Sequence, residues 1–204
     1  MKKLLSALAL LASFGSAYLP ANAAGTAADA IALVIDLGGS VEFDSSTQGS
    51  VVSKVDLSRT KVTDEQLDAL LAFPELKDLD LRLTGITDLG VTKLQSLHGL
   101  RTLNLFRTQV TDSGLASLSG LTSLETLLIG GTKITDQGMT ALLSLTSLVK
   151  VSIFDTKVGD EGALRLTSLT QLRVLLLDKS LVTESGRGRI LVAKPEISFA
   201  ESIT

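Results

Sequence analysis

LDLRLTGITDLGVTKLQSLHGLRT, residues 79–102, is followed without a gap by LNLFRTQVTDSGLASLSGLTSLET, residues 103–126. The two stretches place the same kind of residue at the same position, 24 apart, and the register extends in both directions. Val55, Leu79, Leu103, Leu127, Val151 and Leu175 form one column; Leu57, Leu81, Leu105, Ile129, Ile153 and Leu177 form the next. Thr60, Thr84, Thr108, Thr132, Thr156 and Ser180 follow, then a Thr-Asp pair at 63–64, 87–88, 111–112 and 135–136, varied to Gly159-Asp160 and Thr183-Glu184. Glycine recurs at 90, 114, 138, 162 and 186, and leucine or phenylalanine closes each unit, as at Leu94, Leu97 and Leu100. Six such units cover residues 55–198. A fixed period of this length means stacked supersecondary units, because one strand and one helix cannot bury a core alone and a stack of them can.

Each column has a mechanical reading. The alternation in Leu79-Asp80-Leu81-Arg82 predicts a short strand with one buried face. The threonine after it sits where the chain leaves the strand, and its hydroxyl can satisfy backbone groups of that turn, once per layer. The Thr-Asp pair predicts a helix start, with threonine capping free amides and the acid at the positive end of the helix dipole. The glycine column reads as early-helix packing or turn geometry. The acid column could also be read as a calcium string. Its members stand at least ~4.8 Å apart by strand spacing, whereas calcium needs several oxygens at about 2.3–2.6 Å, so capping is the preferred reading and no metal is expected.

On these columns the sequence resembles the leucine-rich repeat family, with Thr or Ser in the slot where that family's strand-turn signature carries Asn or Cys. The Thr-Asp-x-Gly-Leu continuation is similar to the repeats of F-box ubiquitin-ligase proteins and of bacterial exported proteins. The resemblance implies an α/β solenoid of horseshoe shape, with a parallel sheet on the concave face and helices on the convex face. It also implies partner binding rather than catalysis.

The ends depart from the pattern, as terminal repeats do. Residues 24–54 are expected to form an N-terminal cap. In it, a helix from Ala27 to Leu37 carries Ile31, Val34 and Ile35 on one face and stops at Gly38-Gly39. A strand around Val41 and Phe43 follows, then a polar turn over 45–50 and a strand from Val51 to Leu57. At the other end Arg187 replaces a core residue, Gly186-Arg187-Gly188-Arg189 reads as a basic cap loop, and Ile197 and Phe199 suggest a last edge strand. Residues 199–204 would cover the open end of the core. Ahead of all this, Lys2-Lys3, the apolar run Leu4–Phe14 and Ala21-Asn22-Ala23 read as a signal peptide over residues 1–23 cleaved before Ala24. The run is too short to span a bilayer. The expected product is exported, periplasmic or secreted.

Composition narrows the chemistry. The 204 residues include no cysteine and one histidine, His98, which falls in a variable loop slot. Thiol chemistry, disulfides and multi-histidine metal sites are thereby excluded, and no cofactor is expected. Aromatics at 3% and a net charge of −3 argue against nucleic acid. No nucleophile–base pair stands out, so no enzyme is expected.

Function would therefore sit on the outward positions of the strands. One outward column reads Asp56, Asp80, Asn104, Leu128, Ser152, Leu176, and the other Ser58, Arg82, Phe106, Gly130, Phe154, Asp178. Phe106, Leu128, Phe154 and Leu176 predict an exposed apolar patch, with Asp80, Arg82, Asn104, Arg107 and Asp155 as polar rim. The alternative is that these side chains pad one another across the ladder. The expected function is an exported recognition module, a monomer binding a protein or peptide on its concave face. Two other readings are an F-box-like adaptor or effector arm acting in another compartment, and a structural envelope protein without a discrete partner.

Overall fold

The computed structural model describes residues 25–44 and 51–200. The signal segment, the 45–50 turn and residues 201–204 lie outside the described residues. Helix α1 (Ala27–Asp36) opens the described chain and is held by a capping box between Thr26 and Asp29. It ends at Gly38, whose φ of +86° suits glycine. Ala30, Ile31 and Val34 are buried, but Ile35 is exposed, so the apolar face is narrower than the sequence reading.

Strand β1 (Ser40–Asp44) pairs antiparallel with β2 (Val51–Asp56), which runs through residue 54, where the sequence suggested the cap gives way to the repeats. From β2 onward every neighbour is parallel and in the same register. Strands β3 (Asp78–Asp80), β4 (Thr102–Asn104), β5 (Thr126–Leu128), β6 (Lys150–Ser152), β7 (Val174–Leu176) and β8 (Ser198–Phe199) complete a sheet in sequence order. Register partners Leu79↔Leu103↔Leu127↔Val151↔Leu175 are the 24-residue period made physical. Each crossover carries a short helix or 3₁₀ turn: Glu65–Ala72, α2 (Asp88–Lys93), α3 (Asp112–Ala116), Gly138–Ser144, α4 (Asp160–Arg165) and α5 (Glu184–Ala193), with a further 3₁₀ turn after α2 (Leu94–Ser96) and after α4 (Leu166–Ser168). The leucine columns meet between strands and helices in one continuous core.

Two ladders of polar groups run through the stack, the first within each layer and the second between layers. In the first, the hydroxyls of Thr60, Thr84, Thr108, Thr132, Thr156 and Ser180 each donate to the backbone carbonyl three residues earlier, at 2.5–2.7 Å. Thr108 is buried, and its bond to the Leu105 carbonyl is duplicated by its own amide at 3.2 Å. Thr108→Val therefore leaves that carbonyl one partner and should cost about 1 kcal/mol, the ordinary net worth of one hydrogen bond. Urea melts of Thr108→Val and Thr132→Val check this, and unchanged midpoints would refute it.

The second ladder corrects the reading of the acid column as helix caps alone. The carboxylates do not turn back onto their own helices; they reach forward to the next layer. Asp64 accepts from the amide and hydroxyl of Thr87 at 2.9 and 2.6 Å. Asp88 does the same with Thr111, Asp112 with Thr135 and Asp160 with Thr183. The same threonine hydroxyls accept from the first amides of their own helices, as Thr87 does from Leu89. Each Thr-Asp pair thus reads backward through Thr and forward through Asp. The glycine column is the space for this acid: a β-carbon on Gly138 would stand 2.3 Å from Asp112 Oδ1, and Gly90, Gly114, Gly162 and Gly186 meet the preceding acid in the same way.

The ladder also has ends. In the first layer no acid lies below Thr63, and Gln66, in the glycine slot, supplies its own oxygen to the Thr63 amide at 2.9 Å. In the last layer the acid is Glu184, whose side chain is 94% exposed. Gly186 to Arg189, expected as a loop, lies inside α5. Arg187 bonds Asp178 at 3.3 Å and lies 5.4 Å over the Phe199 ring, closing the end of the stack with a charge in the former core column.

Candidate functional site

The outward columns divide into two halves. In the N-terminal half, Asp56, Asp80 and Asn104 each accept the amide two residues on, from Ser58, Arg82 and Phe106 at 2.8, 2.9 and 3.1 Å. These are side-chain turns that steer the chain off the strand. The other Asp80 oxygen takes Asn104 Nδ2 at 3.3 Å and faces Arg82 Nε at 3.4 Å. Burial pushes the Asp80 carboxyl above its ordinary range, opposed chiefly by the Arg82 amide and the Arg82 charge. Asn104 is 8% exposed and Asp80 half-buried, so of the three polar residues expected in this half only Arg82 is exposed.

In the C-terminal half the apolar residues are less exposed than a binding patch would be, and the two rings pad each other as in the alternative reading. Phe106 and Leu128 are half-buried, but Phe154 is 4% and Leu176 8% exposed, although neither belongs to the leucine core. The cause is Gly130, which stands between the two phenylalanines in their column. A β-carbon there would lie 2.8 Å from the Phe154 carbonyl and 3.0 Å from the Phe106 ring. The missing side chain lets the rings close across a layer, with centroids 6.1 Å apart and planes tilted by 42°. Cations cover the outer sides: the Arg107 guanidinium lies 5.2 Å over the Phe106 ring and Lys179 Nζ 5.1 Å over that of Phe154. The patch is thus an aromatic pair clasped between two cations, with Phe106 and Leu128 only partly open to solvent.

The loop after each strand supplies those cations, through a conformation the sequence barely announced. Arg59, Leu83, Arg107, Asp155 and Lys179 all have φ between 53° and 60°, and Gly131 takes the same place at 68°. Left-handed backbone disfavours side chains by about 1–2 kcal/mol. Only Gly131 carried a signal for it. In every layer but that of Gly131 the turn presents a side chain beside the sheet face, and Arg59, Leu83, Arg107, Asp155 and Lys179 are exposed.

His98 is exposed in its loop. At the opposite edge of the sheet lies a groove of about 370 Å³, lined by residues that include Glu75, Lys77, Arg101 and Glu125. Both of its cations are paired, Lys77 with Asp44 at 2.7 Å and Arg101 with Glu125 at 3.4 Å. Among the described residues no helix is long and apolar enough to cross a membrane.

A family model for the leucine rich repeat matches residues 52–134. An internalin (InlF) from Listeria monocytogenes superposes with a TM-score of 0.53 at 18% sequence identity, over 85% of this chain and 54% of that one. An internalin C2 from the same organism gives 0.48 at 20% identity, over 75% of this chain and 81% of that one. The chain thus spans about half the length of the first of these structures. No curated protein matches. The matched repeats and the in-register parallel sheet that carries their period from β2 to β8 give this chain the fold of a leucine-rich repeat solenoid.

Proposed function

We propose that the protein is an exported, non-enzymatic recognition module that binds a protein or peptide on the concave face of its sheet. The observation that carries the reading is the Phe106–Phe154 pair. Two aromatics stand outside the leucine core, on the solvent side of the sheet, with Leu128 and exposed cations beside them. Aromatic and arginine side chains are the residue types that dominate protein interfaces. Because Phe154 and Leu176 are already covered, the anchors offered to a partner are Phe106, Leu128 and Arg107, framed by Arg82 and Asp155. Seven parallel strands, β2 to β8, at ~4.8 Å give a face about 29 Å long, enough for a standard interface of roughly 800 Å² per partner. Interaction is also the common use of leucine-rich repeat surfaces. Export rests on the N-terminal segment, and intact mass of the native protein should begin at Ala24 rather than Met1.

The test is capture from the exported fraction with wild type and with Phe106→Ser/Leu128→Ser. Both positions are half-buried and outside the core, so the double variant should fold. A partner held by wild type and lost by the variant supports the reading. A partner held equally by both moves the site off this face.

A further inference from the structure

Charge is distributed unevenly along the repeat. The six segments between strand end and helix start (57–63, 81–87, 105–111, 129–135, 153–159 and 177–183) contain seven basic residues and two acids, Asp155 and Asp178. The remainder of the chain holds 12 basic and 20 acidic residues. A protein of net charge −3 therefore carries a surplus of five positive charges along one edge of its sheet. Asp178 is itself matched by Arg187 at 3.3 Å.

Six of the seven cations of this edge differ from the others in their pairing; the exception is Arg82, whose Nε lies 3.4 Å from Asp80. On the opposite edge Lys77, Arg101 and Arg173 each meet a carboxylate. On the cationic edge Arg59, Lys61, Lys133 and Lys157 are exposed, and among the described residues none of them makes an ion pair. Arg107 and Lys179 rest on aromatic rings instead of carboxylates. Alternation fixes this geometry: Lys133 lies between Thr132 and Ile134, and Lys157 between Thr156 and Val158, all four of them buried. The lysines are left pointing outward, one layer after another.

We infer that this ridge recognises an extended acidic segment of a polypeptide, lying beside the Phe106–Leu128 strip. The inference rests on the recognition reading above and names the chemistry of the partner. Six layers at ~4.8 Å span about 24 Å, which an extended chain of ~3.3 Å per residue covers with about seven residues. The ridge is one loop wide, which fits a single strand. The acidic remainder of the molecule repels a broad polyanion such as duplex nucleic acid or an anionic bilayer. The half-exposed ring and leucine next to the cations suit a peptide that alternates carboxylates with apolar side chains.

The experiment uses the full chain and a fluorescent octaglutamate peptide read by anisotropy, with heparin and phosphatidylglycerol vesicles as competing probes. Wild type should bind octaglutamate, and the affinity should fall at least about fivefold between ~50 and ~300 mM salt as screening tightens. Lys61→Glu/Lys133→Glu/Lys157→Glu should bind at least tenfold more weakly with an unchanged thermal melt, and the corresponding triple Gln variant should fall between. The inference is overturned if wild type does not bind octaglutamate or if the triple Glu variant binds it as wild type does. Tighter binding of heparin or vesicles than of octaglutamate overturns it too. In the capture assay, a partner lost by Phe106→Ser/Leu128→Ser but held by the triple Glu variant removes the ridge and leaves the concave-face reading standing. The converse loss removes that reading and leaves the ridge.

Discussion

Asp112→Ala is expected to destabilise the fold by about 2–4 kcal/mol, although the residue is only half-buried and touches no hydrophobic core. Its carboxylate takes two bonds from Thr135, to the amide at 2.9 Å and the hydroxyl at 2.6 Å. Hydrogen bonds to charged groups are worth about 1.5–3 kcal/mol each, less where water can replace them. The chain contains its own control. In the fifth layer Gly159 stands where other repeats have threonine, so Asp136 receives the Gly159 amide at 2.6 Å and no hydroxyl. Asp136→Ala should therefore cost about half as much. Gly138→Ala should approach Asp112→Ala in effect, because the added methyl would stand 2.3 Å from Asp112 Oδ1 and displace the carboxylate. The two changes break one interaction, so their double variant should cost clearly less than their sum. Urea melts of the four variants decide it, and additive losses would refute a shared ladder. The ladder also gives acid sensitivity at its outer end. The amide and then the hydroxyl of Thr183 hold the Asp160 carboxyl below its ordinary value of 3.8. Its contribution is present above about pH 4 and is lost as pH falls through the lowered value.

The second large effect separates the two faces of the sheet. Leu105 is completely buried in the leucine core, so Leu105→Ala should cost about 2–5 kcal/mol. Phe154→Ala, outside that core, should cost about 2 kcal/mol, because its ring packs against Phe106 and under Lys179 Nζ rather than in the leucine columns. Phe106→Ala should cost about 1 kcal/mol. The order Leu105, Phe154, Phe106 follows from the register. A strand slipped by one residue would exchange the faces and place Phe106 first.

The columns of leucine and threonine were readable because their partners lie within a few residues or recur at the same phase. The forward reach of the acids was not, since Asp112 and Thr135 are 23 residues apart and each has a sufficient local reading as a helix start. A sequence trace of it existed in the pairing of every acid with a glycine one repeat later, Asp64 with Gly90 through Asp160 with Gly186, and in Gln66 filling that slot where no acid precedes it. The sequence leaves two readings of the apolar patch, exposed or self-padded, and the Phe106–Phe154 pair follows the second. Counting outward positions could not show that Gly130 lets two rings meet across a layer and bury each other. The left-handed turn escaped notice because five of its six residues are not glycine. With it went the cationic edge, whose members are scattered over two columns and interrupted by Leu83, Gly85 and Gln109.

Site-specific photo-crosslinking in the exported fraction tests the recognition face most directly. A benzophenone side chain at Arg107 sits beside the Phe106 ring, and one at Leu89, exposed on α2, samples the helical face. The expected result is a discrete adduct from position 107 and none from 89, with the adduct abolished by Phe106→Ser/Leu128→Ser. An adduct from position 89, with none from 107, would contradict the account.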